Sequence, residues 1–116
     1  MSEVVVIASL IARPGKEPEA QKFLSDLLAT THAEQGCMLY ALHHGTDDPR
    51  HFVFVERWES RPLLDKHLAS EHIQTALTRV GEHGGDLFTQ ALDVRYYDAI
   101  PGGETDKGSI AGHAAK

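Results

Sequence analysis

Cysteine is nearly absent from this chain: Cys37 stands alone, so no internal disulfide can form. Basic character is also scarce. Eleven Lys and Arg stand against 17 Asp and Glu, for a net charge of −6, and they do not cluster. That argues against nucleic acid and against anionic membrane as partners. No stretch reaches the ~18 consecutive apolar residues that a membrane helix requires. The first residues read as a strand and not as a charged segment followed by an apolar one, so the expectation is a cytoplasmic protein. Phosphate-cradling loops of the GxGxxG or GxxxxGK kind are missing. Gly81-Glu82-His83-Gly84-Gly85 is a breaker without the strand-then-helix setting that nucleotide binding needs. There are no internal repeats. What remains is 116 residues, 41% of them apolar, which suits one domain and is too short for two comfortable ones.

The run Val4 to Ala12 is almost continuously apolar, the pattern of a strand covered on both faces. Arg13-Pro14-Gly15-Lys16 is a turn. From Pro18 the apolar positions Ala20, Phe23, Leu24, Leu27, Leu28 and Thr31 recur at helical spacing, and Gly36 is a helix stop. Cys37 to His44 and His51 to Glu59 are strands joined by the turn residues Gly45 to Pro49, which makes a hairpin. Two short helices are predicted next, the second over Glu71 to Val80, and then a fourth strand over Leu87 to Tyr97 with Leu92, Val94 and Tyr96 on one face. The domain is expected to span 1–98. The Gly- and Ala-rich remainder, 99–116, is expected to be a flexible tail or to dock on a partner subunit. The order β-α-β-β-α-α-β predicts an α+β, ferredoxin-like layer with an antiparallel sheet and its helices on one face. Since the first strand is apolar on both faces, the uncovered side calls for a second copy, hence a homodimer.

Residues 52–72 carry the most chemistry. Strand alternation puts Phe52, Phe54, Glu56 and Trp58 on one face. A carboxylate between large apolar side chains is an unusual choice for a plain core, because burial is costly unless the acid is hydrogen-bonded, paired or protonated. Ser60-Arg61-Pro62 is a helix start, with His67 beside the apolar stripe of that helix. Ser70 is expected to cap the next helix. In one unbroken helix His67 and His72 would point about 140° apart, and a break at Ser70 lets both approach one cavity.

These features together resemble the antibiotic biosynthesis monooxygenase family, within the dimeric α+β barrel superfamily. The resemblance rests on Arg13-Pro14-Gly15-Lys16, Glu34-Gln35-Gly36-Cys37 with Tyr40, Glu56-Arg57-Trp58-Glu59-Ser60, His67-Leu68 and Ser70-Glu71-His72, and it covers roughly 3–97. Small quinol monooxygenases share its E-x-W-E-S and H-L-x(3)-H pattern. It implies a homodimer whose sheets form a shared barrel, a pocket between sheet and helices in each subunit, and oxygenation of a small aromatic or quinol substrate by O2 with no cofactor. The haem-degrading branch fits poorly: His67 falls where that branch has Trp, and Leu77 where it has the iron-ligating His.

Oxygenation without a cofactor needs a base that works near neutral pH, donors for a phenolate and a dry cavity. His67 is assigned as the base or phenolate donor. Glu56 would orient that imidazole or share its proton, and Trp58 would wall the pocket. His72, Tyr40 and Phe54 are assigned as substrate contacts. Each of these residues also has a plain structural reading as core or as a surface helix start. No metal is expected, because adjacent His43 and His44 point to opposite sheet faces and at most one of them could join His51. Cys37 reads as packing. The alternatives are an isomerase-like acid–base enzyme on the same fold and a non-catalytic small-molecule-binding or stress protein.

Overall fold

Strand Val4–Ile11 (β1) lies near the middle of a four-stranded antiparallel sheet, as its apolar character demands. The computed structural model describes residues 3–104, 107–108 and 110. The strands Cys37–His44 (β2), His51–Trp58 (β3) and Asp93–Tyr97 (β4) complete the sheet, in the order β2-β3-β1-β4. Helices Glu17–Ser25 (α1), Leu28–His32 (α2), Arg61–Leu68 (α3) and Glu71–Val80 (α4) complete the chain order β-α-α-β-β-α-α-β.

Strand register determines what the helices cover. Val4, Val6, Ala8 and Leu10 of β1 are buried beneath them, together with Phe52, Phe54 and Trp58 of β3. Fully burying a side chain such as Phe52, Leu64 or Leu87 contributes about 1.5–3 kcal/mol each. One cross-strand row reads Tyr40, Glu56, Val6, Tyr96, and the next reads Leu42, Phe54, Ala8, Val94. The opposite set on β1 is Val5, Ile7, Ser9 and Ile11. Only Val5 of these is buried, and the other three are half-exposed within the single chain.

Three expectations are corrected. The single helix from Pro18 is two helices, because Leu27 donates its N–H to the carbonyl of Leu24, three residues back, in a turn tighter than the α-helical one. Ser70 precedes α4 but makes no capping bond; its hydroxyl donates to the carbonyl oxygen of His67 at 2.6 Å. The fourth strand begins at Asp93, not Leu87. Leu87 and Phe88 are adjacent and both 1% exposed. Phe88 donates its N–H to the carbonyl of Gly84, four residues back, as in a single helical turn. The chain therefore turns there, touching β1's end only through a bridge between Ala12 and Phe88. Leu92, Val94 and Tyr96 still face the same interior. The tail expected over 99–116 lies partly outside the described residues, and its described part contains no helix or strand.

Candidate active site

The two cross-strand rows, without Leu42, form the floor of a cavity of about 470 Å³ between sheet and helices. Its roof comes from Phe23, Leu24 and Leu27 on one side and Leu68, Ile73, Ala76 and Val80 on the other. The lining is predominantly apolar. Tyr40, Glu56 and His67 supply polar groups, and Gln74 and Tyr96 are the other hydrogen-bonding side chains on the wall.

His67 is placed by three elements. Ser60 accepts the N–H of Leu63 and starts α3, which presents Leu63 and His67 one turn apart. Gly36, at φ +86°, lies directly against Leu63; a Cβ there would be 2.6 Å from Leu63 Cδ1. That close approach brings Glu34 alongside, and His67 Nδ1 sits 2.7 Å from Glu34 Oε2. A carboxylate only accepts, so Nδ1–H donates. Glu34 is not on the cavity wall, which leaves Nε2 as the ring nitrogen available to the cavity. The ring is 3% exposed. It packs on Trp58 with centroids 4.4 Å apart and edge-on to Tyr40 at 5.4 Å. Burial is the largest influence on its proton affinity and lowers the pKa, opposed by the bond to Glu34, so the ring is held toward its neutral form.

Glu56 is 5% exposed and accepts the indole N–H of Trp58 at 2.9 Å. Burial pushes its carboxyl from the ordinary 4.5 up to about 7, with the Trp58 bond pulling the other way and the charge of Glu34 adding to the rise. Around neutral pH this group can therefore carry or release a proton. Tyr40 stacks on Phe54 at 4.8 Å, and its phenol is raised far above the usual range by burial first and by Glu56 second, so it stays a neutral donor.

The structure thus brings His67, Glu56, Tyr40 and Phe54 to one cavity. Trp58, expected to wall it, is fully buried and stands behind, holding Glu56 and backing His67. His72, expected at the mouth, is not on the cavity wall. Its Nε2 lies 3.0 Å from Thr31 Oγ1 and 3.4 Å from Glu34 Oε2, and the ring faces a separate groove beside α1. The carboxylate that orients His67 is Glu34, not Glu56. Sequence reading missed Glu34 because the contact spans 33 residues, and the local pattern shows only a polar residue before a helix-stopping glycine. His43, His44 and His51 do not form a converging ligand group.

Fold and cavity together define a ferredoxin-like α+β protein with an apolar hollow that has acid–base groups along its floor. The chain belongs to the antibiotic biosynthesis monooxygenase family, whose model it matches over residues 3–79. The Mycobacterium tuberculosis protein Rv0793, whose name gives a provisional monooxygenase assignment, is 36% identical over 81 residues, covering 70% of this chain and 79% of its own length. In its solved structure the likeness has a TM-score of 0.77 at 31% identity, over 89% of this chain and 100% of that one. PA3566 from Pseudomonas aeruginosa is similar at TM-score 0.75 and 27% identity, over 86% of this chain and 96% of its own.

Proposed function

We propose that this protein is a cofactor-independent monooxygenase of a small phenolic or quinol substrate, working as a homodimer. One observation carries the reading: a buried imidazole, oriented through Nδ1 by Glu34, on the wall of an otherwise apolar hollow. His67 Nε2 takes the phenolic proton, and Glu56 and Tyr40 are within the same cavity to hydrogen-bond the oxygen. The electron-rich anion passes an electron to O2, and the resulting radical pair joins at a ring carbon. Loss of water, with the proton returned by His67, leaves one oxygen atom on the ring as a carbonyl. The apolar walls keep bulk water from the anion. The family name and the provisional name of Rv0793 point to the same reaction class.

The test is oxygen uptake with a panel of hydroquinones and naphthols. The expected outcome is substrate-dependent O2 consumption that falls about 100-fold or more in His67→Gln, the scale of a lost general base. Turnover that continues without oxygen would assign an isomerase-type acid–base reaction instead. Thermal stabilisation by the panel without turnover would make the protein a binder.

A further inference from the structure

Behind the cavity, Glu34, His67 and His72 bring one ligand atom each to within 4.8 Å of one another. We infer that this cluster is a binding site for a zinc-class divalent transition-metal ion, with His67 Nδ1, His72 Nε2 and a Glu34 carboxylate oxygen as ligands. The three come from the turn after α2, the last turn of α3 and the first turn of α4, so the break at Ala69–Ser70 is what turns both imidazoles toward one acid.

The three ligand atoms lie within reach of a single ion. Both imidazole nitrogens already approach the same oxygen, Glu34 Oε2, at 2.7 and 3.4 Å. Zinc bonds to nitrogen and oxygen at about 2.0–2.2 Å in a tetrahedron place neighbouring ligand atoms about 3.4 Å apart. Accepting an ion therefore asks the carboxylate to move back from His67 and the two imidazole nitrogens, which lie within 4.8 Å of each other, to close on one centre. Two imidazoles and one carboxylate suit zinc and its neighbours, and leave a coordination position open. Calcium and magnesium, which take oxygen ligands, are not served.

An entry path exists. His67 is buried, but the Glu34 and His72 side chains are 18% and 21% exposed. His72 lines a groove that also carries Asp26 and Glu71, two carboxylates facing incoming cations. Thr31 Oγ1, 3.0 Å from His72 Nε2, is fully buried; its bond to that nitrogen gives way when the ion binds, and the hydroxyl is then near enough to take up the open position. Ligation and a proton on Nδ1 exclude each other, so an ion displaces the Nδ1 proton and leaves the ring protonated at Nε2; the ion-loaded chain lacks the base of the proposed reaction, which belongs to the ion-free chain.

Binding is tested on the full chain after chelator treatment, with Zn2+ and Co2+ added singly. The variants are His72→Gln and Glu34→Gln, each checked for native circular dichroism. The expected result is one Zn2+ per chain by calorimetry and a rise in Tm of about 5 °C or more at saturating ion. Co2+ should give the visible absorption of a low-coordinate nitrogen and oxygen site. His72→Gln should weaken binding by more than the about 10–100-fold that loss of a supporting partner costs. Glu34→Gln should do the same. If the wild type binds neither ion, or if His72→Gln binds Zn2+ as the wild type does, the site is not there. A variant that fails to fold leaves the wild-type stoichiometry and cobalt spectrum to decide.

Discussion

At the residue scale, Glu56 gives the clearest pH signature. Its carboxyl holds a proton up to about 7 in the folded chain, against an ordinary 4.5. Between those values the native state binds more protons than the unfolded chain, so this group's contribution is full below about pH 4.5 and is lost as pH rises through 7. At about 1.36 kcal/mol per pH unit, the loss is on the order of 3 kcal/mol. Glu56→Gln keeps an oxygen for the Trp58 indole and removes the titration. Urea unfolding at pH 5 and pH 8 should show the variant gaining on the wild type by about 1–3 kcal/mol at the higher pH, and an unchanged difference would place the carboxyl in an ordinary environment. His67, lowered by burial, acts with the opposite sign, and the comparison of variant with wild type isolates Glu56 from it. Sequence alone singled out Glu56 and His67 as out of place on apolar surfaces. It could not show that Trp58 serves Glu56 from behind, because alternation assigns a face and not a depth.

At the scale of elements, the site depends on the fit between the end of α2 and the flank of α3. Gly36 is where that fit is tightest, with a positive φ and Leu63 in contact. Gly36→Ala meets both obstacles and should lose about 1–3 kcal/mol of stability. Since Glu34 lies two residues before it and His67 one turn after Leu63, kcat should fall as well; denaturant midpoints and turnover measured on the same sample check this. Much of the architecture was legible. The β2–β3 hairpin, α4 and the cap of α3 follow from alternation, turn chemistry and Ser60. The start of β4 was not, because Leu87-Phe88 reads as strand and apolar spacing does not show the turn bond from Phe88 to Gly84. The shift within the first helix was hidden too: the apolar spacing of Leu24, Leu27 and Leu28 is the same on either side of it.

At the scale of the whole molecule, the second sheet face is left half-exposed in the single chain. Ile7, Val53, Val55 and Leu39 lie on it half-exposed, beside Tyr97 at 46% exposure. Arg57 is 7% exposed on the same face, paired with Glu3 at 3.0 Å, so even its charge is met within the chain. An apolar sheet face of this kind is what a second copy would cover. Sedimentation should give a dimer, and Val55→Arg, which sets a new charge in the middle of that face, should shift the equilibrium strongly to monomer. A wild type that stays monomeric at high concentration would contradict the assembly.

The proposed reaction requires that a phenol enter the hollow with its hydroxyl against the imidazole. The most direct measurement is a crystal structure with resorcinol grown and frozen without oxygen, so that no oxygenation can follow binding. The predicted result is a ring between Phe54 and the α4 side of the roof with one hydroxyl within hydrogen-bond distance of His67 Nε2. A ring held at Gln74 and Tyr96 with His67 untouched, or a hollow filled by its own side chains, would contradict it.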